Sequence, residues 1–538
     1  MRRPFPLLAT LALLLPALAL EAQEAAPDTA LRLRLLPGER WWGGHTEAGP
    51  QMPFVPGYAA SLYDNRGNQV QPLLLSSAGR SVWSEGAYRF GVGADALVVT
   101  DAEVAVTVDS AGATLAEAYR RAAAAHFAFS GPLPDERLFR APQYNTWIEL
   151  IYDQNQADVL RYARGIVDAG FPPGVLMIDD NWQRDYGDWR FRPDRFPDPR
   201  GMVDTLHALG FQVMLWVSPL VSADHENFRA LDERLDGLLR DPANPSEAKV
   251  VRWWNGFSAE LDLTSPGGEA WFREQLEHLV DAYGVDGFKL DAGDFELYAG
   301  SLSAKPDATP RDHSEAFARI GLAYPLNEYR AAWRMGGEPL AMRLRDKDFT
   351  WEALRMLVPG MTTMGLLGYP FACPDMVGGG EYRSFLALDS LDGELIVRSA
   401  QVHALMPMMQ FSVAPWRVLD GDELAAVRAA ARLHAAMGDT LVAYARAAAR
   451  TGEPIVRPLA YDFPEGGFEE VRDQFLLGGR YLVAPVVVRG ARRRMVRFPR
   501  GVWRRVGGPE DGRVYEGPVE AEVSAGLEEL PYFELVEK

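Results

Sequence analysis

At 538 residues the chain exceeds the roughly 250 that one α/β barrel uses, so two to four domains are expected. Its 48% hydrophobic and 24% charged residues are ordinary for a globular protein and exclude domain-scale disorder, while 11% aromatic content leans towards a ligand-rich surface. A formal net charge of -19 repels phosphate backbones and anionic lipid, which excludes nucleic acid and membrane as partners of the whole chain and favours a neutral or cationic substrate.

The N-terminus has the pattern of an export leader. Arg2 and Arg3 precede the apolar run Leu7 to Leu15, and Ala17 and Ala19 offer a small-residue cleavage site, so residues 1–22 are expected to be removed from a periplasmic or secreted protein. Pro6 and Pro16 interrupt the run, which falls short of the about 20 residues that a spanning helix needs. Cys373 is the only cysteine, so neither an intrachain disulfide nor a thiolate metal cluster can form.

After the leader, Leu31, Leu33 and Leu35 alternate with Arg32 and Arg34, and Gly and Pro recur to about Pro134; this predicts a β-sandwich over 23–135. From 136 to 451 short apolar strands alternate with helices. The strands are predicted at Gly174 to Asp179, Phe211 to Val217, Val285 to Asp291 and Thr363 to Gly368. The helices are predicted over Gly267 to Tyr283 and along the Ala-rich Asp422 to Arg450. No Gly-rich phosphate loop follows the early strands, so the fold class is α/β, a (β/α)8 TIM barrel rather than an open sheet. From 452 to 538 the pattern returns to β, as a C-terminal β-sandwich. Thus the barrel is flanked on both sides.

In such a barrel, functional side chains gather at the C-terminal strand ends. GVLMIDDNW places Asp179 and Asp180 there, FQVMLWV contains Trp216, and GVDGFKLDAGDFE ends with Lys289 and Asp291 one strand period apart. Lysine and aspartate then share a face, and the ammonium keeps the carboxylate ionised. An ionised carboxylate can attack an anomeric carbon. Taken singly, each aspartate could be a helix N-cap or half of a rim ion pair. A glycosidase also needs a carboxyl group that delivers a proton, and MRLRDKDFTWEALR supplies Asp346 and Asp348 before a helix beginning near Trp351. Asp348 is placed to cap that helix, which leaves Asp346 the freer of the two.

GFKLDAGDFE resembles the nucleophile motif of glycoside hydrolase family 31, in which a lysine, one residue and the nucleophilic aspartate end a barrel strand. GERWWGG at 38–44, LWVSP, GLLGYPFACPDMVGG and DQFLLGGRYLVAPV are similar to further family segments, in the family's order. The resemblance implies a retaining exo-acting α-glycosidase with Asp291 as nucleophile. Asp346 would be the acid/base, from its spacing of six before Glu352, with Asp348 as the alternative because RLRDKDFTWE lacks the family's WSGD. Arg330 would touch substrate and carboxylates, a role for which Arg334 and Arg343 compete. PDMVGG stands where the family has HDIGG, so Pro374 replaces a sugar-binding histidine while Asp375 keeps the acidic partner. With IDDNW and WWNGF, this resembles the family's α-galactosidase subgroup.

Asp179 and Asp180 would then bind sugar hydroxyls, with Trp216 and Trp254 stacking on the ring, although Trp253 and Trp254 could equally be rim or core aromatics. The partner would be a small oligosaccharide or glycoside; oligomeric state is left open. No cofactor or metal is required, and Asp291, Asp294 and Glu296 lack Ca²⁺-loop spacing. Rival readings are an α-glucosidase or α-xylosidase of the same family, an α-galactosidase of a related clan, and an inactive carbohydrate-binding protein.

Overall fold

The computed structural model describes residues 23–25 and 30–538; the leader expected over 1–22 lies outside the described residues. Eight short parallel strands form one sheet: β1 Gln143–Asn145, β2 Val175–Ile178, β3 Gln212–Val217, β4 Gly287–Leu290, β5 Leu326–Tyr329, β6 Met342–Arg343, β7 Ala372–Cys373 and β8 Gln410–Phe411. Each pairs with the next in chain order as far as β7, and β8 returns to pair with β1. A parallel bridge from Met376 to Gln410 closes the ring. Residues of β2 and β4 are buried throughout, as a strand covered on both faces must be, which is why β2 reads as an unbroken apolar run and β4 is broken only by Lys289.

Two predicted elements differ. Thr363 to Leu366 is the last turn of a helix, Trp351–Leu366, and the strand follows later at Ala372–Cys373. That end of the helix is buried on every side, so its sequence loses helical alternation and imitates a buried strand. Its cap is the Thr350 side chain, which accepts from the Ala353 N–H, rather than Asp348, which is exposed. The Ala-rich stretch is two helices, Gly421–Ala436 and Gly438–Thr451. A Cβ at Gly438 would stand 2.6 Å from the Arg140 carbonyl oxygen, so the break falls where the backbone must approach another closely.

The N-terminal region packs a six-stranded and a four-stranded sheet around a shared core that includes Trp42, Leu73, Val82 and Phe90. One strand of the larger sheet is borrowed: Ala332–Trp333, just past β5, adds in parallel to Gln69 and Val70. This weld holds the 64–69 loop against the barrel mouth. Between β3 and β4 a three-stranded sheet is inserted, whose hairpin pairs Trp253 with Gly256 and puts Trp254 and Asn255 at its tip. Gly256 adopts φ +101, which the tight turn demands. The C-terminal region forms a six-stranded antiparallel sheet over its own core of Leu476, Val496, Phe498, Trp503 and Phe533. No helix among the described residues is long and apolar enough to cross a membrane.

Candidate active site

The segments that follow β1 to β7, together with Gly67 of the N-terminal region, surround a cavity of about 400 Å³ at the C-terminal end of the barrel. Asp179, Asp180, Trp216, Trp254, Lys289, Asp291, Arg330 and Asp346 all line it, whereas Asp348 does not. Asp375, expected against the sugar, does not line it either. Its side chain is fully buried behind Asp346, where Oδ2 accepts the Lys347 N–H at 2.8 Å and Oδ1 lies 3.4 Å from Arg343 Nη1. A carboxylate held by these donors beneath the cavity floor has no face left for a ligand.

Asp291 is gripped from several directions. Oδ1 accepts the Ala292 N–H at 2.9 Å and Arg330 Nε at 3.1 Å, while Oδ2 accepts Trp216 Nε1 at 3.2 Å and lies 4.0 Å from Arg343 Nη2. Ala292 reaches its carboxylate from a left-handed backbone, φ 63, at a cost of about 1 kcal/mol for a residue with a Cβ. Burial alone would raise the Asp291 pKa, but Arg330, Arg343 and Lys289 together hold it well below the ordinary carboxylate range. The group is therefore anionic at any neutral or mildly acidic pH.

Lys289 acts on Asp291 only at a distance. Its Nζ donates to Asp179 Oδ2 at 2.6 Å, forming a pair of almost wholly buried side chains, and its field at Asp291 ranks behind those of the two arginines. Arg330 is similarly committed: besides Asp291 it binds both oxygens of Asp294, and its Nη1 donates to the Gly67 carbonyl at 2.8 Å. Trp254 is 47% exposed on the cavity wall, its ring 5.9 Å from the Arg330 guanidinium carbon. Trp216, by contrast, is buried beside Tyr186 and Trp189, and its N–H holds the expected nucleophile.

Arg343, weighed in the sequence only as a rival of Arg330, organises the other half of the site. It is 1% exposed and donates from Nη1 to Asp346 Oδ1 at 2.6 Å, with Glu328 Oε1 3.3 Å from Nε. One guanidinium thus faces Asp346, Asp375, Asp291 and Glu328. Burial would raise the Asp346 pKa and so does Asp291, yet Arg343 and Lys289 outweigh them and hold it below the usual range. Asp375 moves the other way: burial and the charge of Asp346 push it up to about 7. The two carboxyls therefore titrate as a pair.

Asp180 lies under a network that sequence reasoning missed. It accepts from Gln183 Nε2 at 3.0 Å, Tyr186 OH at 2.9 Å and Asn255 Nδ2 at 2.7 Å, while burial and Asp179 push its pKa up to about 7. Asn255 comes from the inserted hairpin; the only signal for it is its place in WWNGF, a turn in which the sequence drew attention to the tryptophans. Trp147, Tyr152, Tyr382, Arg345 and Arg383 also line the cavity and were not anticipated. Among the described residues no group of three or more His, Cys, Asp or Glu side chains is placed to hold a metal ion.

A closed parallel barrel with paired carboxylates at its C-terminal mouth defines the class, a (β/α)8-barrel protein of glycoside hydrolase architecture. Residues 142–338 match the glycosyl hydrolases family 31 TIM-barrel domain and residues 452–534 the family 31 C-terminal domain, so the chain belongs to glycoside hydrolase family 31. The myogenesis-regulating glycosidase of Mus musculus is 35% identical over 384 residues, 69% of this chain and 53% of the relative. Alpha-glucosidase 2 of Bacillus thermoamyloliquefaciens is 26% identical over 454 residues, 76% of this chain and 55% of the relative. The chain spans about half the length of these curated relatives. A family 31 α-xylosidase from a soil metagenome, solved with xylose, superposes with TM-score 0.78 at 22% identity over 94% of this chain and 79% of the other.

Proposed function

We propose that this chain is a retaining, exo-acting α-glycosidase that hydrolyses terminal α-linked hexose, α-galactosides first. The observation that carries the proposal is the bracketing of Asp291 and Asp346 around Arg343 at the base of one cavity, with Asp291 in its anionic form. Asp291 attacks the anomeric carbon and forms a covalent ester as Asp346 protonates the departing oxygen; Asp346 then deprotonates the water that releases the sugar. Arg343 and Lys289 outweigh burial and the negative charge of Asp291, so the free enzyme holds most Asp346 ionised and the first step draws on the minority form that carries the proton. Esterification removes that charge, so Asp346 becomes the stronger acid and the base form needed for the second step is favoured. Asp179 and Asp180 offer acceptors to a sugar diol, and Trp254 supplies an apolar wall.

Galactose is preferred because Pro374 stands where a sugar-binding histidine is usual and because IDDNW, WWNGF and PDMVGG resemble the family's α-galactosidase subgroup. Relatives named as an α-glucosidase and an α-xylosidase favour the second reading, the same chemistry on glucose or xylose. A panel of aryl α-glycosides, with NMR of the first-formed anomer, tests both points. Release of α-galactose first supports the proposal; glucose without galactose overturns the glycone, and an inverted anomer overturns the mechanism. Sugar binding without any turnover would make this a carbohydrate-binding protein. On its leader-like N-terminus we place the protein in the periplasm or outside the cell, which N-terminal sequencing of the exported form would check.

A further inference from the structure

We propose that the cavity mouth is a subsite for an anionic leaving group, an acidic sugar of the uronic-acid type next to the bond that is cut. The inference rests on the glycosidase reading and adds what the leaving side recognises. Because the leaving group departs on the side of the proton donor, its subsite must adjoin Asp346. Two segments do so: Arg345 precedes Asp346 directly, and Gly380, whose Cβ would stand 2.8 Å from Asp346 Oδ1, leads into Glu381, Tyr382 and Arg383. All except Gly380 line the cavity.

This rim has a platform. Trp147, Tyr152 and Tyr382 stand edge-on to one another, with ring centroids 5.4 to 5.9 Å apart. The Trp147 indole N–H is fixed on the Gly380 carbonyl at 3.0 Å, which ties the platform to the loop beside the acid/base. Such rings present faces and edges to a sugar.

The rim also has cations without committed carboxylates. Deeper in the cavity, Lys289, Arg330 and Arg343 are each paired within 3.1 Å of an aspartate. Among the described residues the one carboxylate near Arg345 is Glu47, at 3.9 Å, and that carboxylate is already held by Lys347 at 2.9 Å and by Asn68 Nδ2 at 2.6 Å; Arg345 Nη1 otherwise meets only the Arg66 carbonyl, at 3.4 Å. Arg383 is exposed and contacts the Tyr382 hydroxyl at 3.5 Å. The one rim carboxylate, Glu381, caps its own short helix by accepting the Arg383 N–H at 3.1 Å. In a chain of net charge -19, two guanidinium groups without a close carboxylate partner thus stand where the leaving group would sit. Guanidinium forks match carboxylate geometry, and apolar rings beside them take the sugar body.

The test uses the full-length enzyme and the glycone identified by the aryl panel, linked to glucose, to glucuronic acid or to 6-O-sulfated glucose. The expected result is a kcat/KM about tenfold higher for the disaccharide that releases glucuronic acid than for the one that releases glucose at low ionic strength, shrinking as salt is added. In the double variant R345Q/R383Q the ratio should fall to about one. An equal gain for the sulfated sugar would broaden the subsite to anions in general. Equal handling of charged and neutral disaccharides by the wild type, or a preference that persists in R345Q/R383Q, overturns the proposal. The salt dependence of the wild type decides between these outcomes even if the variant folds poorly. Failure to cleave any aryl glycoside would instead refute the glycosidase reading, so the two failures are separable.

Discussion

Gly380→Ala is a perturbation aimed at the acid/base without touching its chemistry. Gly380 has no left-handed backbone, so alanine is allowed there, but its Cβ would lie 2.8 Å from Asp346 Oδ1 and 2.9 Å from Asp375 Oδ1. Asp375 cannot yield, being fully buried and pinned by the Lys347 N–H at 2.8 Å. The Asp346 side chain is 37% exposed to the cavity, so it is the group that moves, away from its 2.6 Å contact with Arg343. Ordinary contact begins near 3.4 Å, so the shift is about 0.6 Å, and misplacements near 1 Å cost up to about 10²-fold in rate. We expect kcat/KM to fall about 10-fold to 10²-fold for alkyl or sugar leaving groups and hardly at all for 2,4-dinitrophenyl glycosides, which depart without protonation. Thermal denaturation monitored alongside should show a folded enzyme. An equal loss with both kinds of leaving group, or wild-type rates throughout, would refute the assignment of Asp346 as proton donor.

Three further outcomes follow from the same geometry. Asp291→Asn should lower kcat by at least about 10³-fold while sugar binding persists in calorimetry, and substantial residual turnover would disprove a nucleophilic role. Lys289→Met leaves the Asp179 carboxylate buried without its 2.6 Å partner and should destabilise the fold by about 3–5 kcal/mol, read from guanidinium unfolding; an unchanged midpoint would contradict the pairing. Glu296, an exposed residue whose carboxyl is partly desolvated, reports on alkaline pH, because that desolvation and a hydrogen bond shared with Asp64 of the N-terminal region push its pKa up to about 8. A raised carboxyl pKa contributes stability in full below the ordinary value near 4.5 and loses it as pH rises through about 8. Allowing for partial exposure, the wild type should lose roughly 1–2 kcal/mol between pH 5 and 9, and Glu296→Gln should flatten that slope. A slope that survives the substitution would mean another group is responsible.

The barrel was legible because its strands are buried on both faces, so runs such as GVLMID and FQVMLWV carry their own signature. The helix end at Thr363 to Leu366 was misread for the same reason, since burial on all sides erases the period that separates helix from strand. Within the site, residues at strand ends were found and residues delivered by long-range packing were not. Asn255 meets Asp180 from 75 positions away, and Arg330 is held by Gly67 from 263 positions away.

What the sequence by itself determined is the local alternation of short buried strands with helices, and the placing of Asp179, Asp180, Lys289 and Asp291 at strand ends, because a strand's period of two and its burial are written in consecutive residues. Only the tertiary structure decided that Arg343 faces four carboxylates, that Asp375 lies beneath the cavity floor, and that Trp147, Tyr152 and Tyr382 meet at its mouth. Those relations arise from ring closure of the barrel and from the 64–69 loop and inserted hairpin laid against it. Charges and rings distant in sequence interact only after folding removes the water between them.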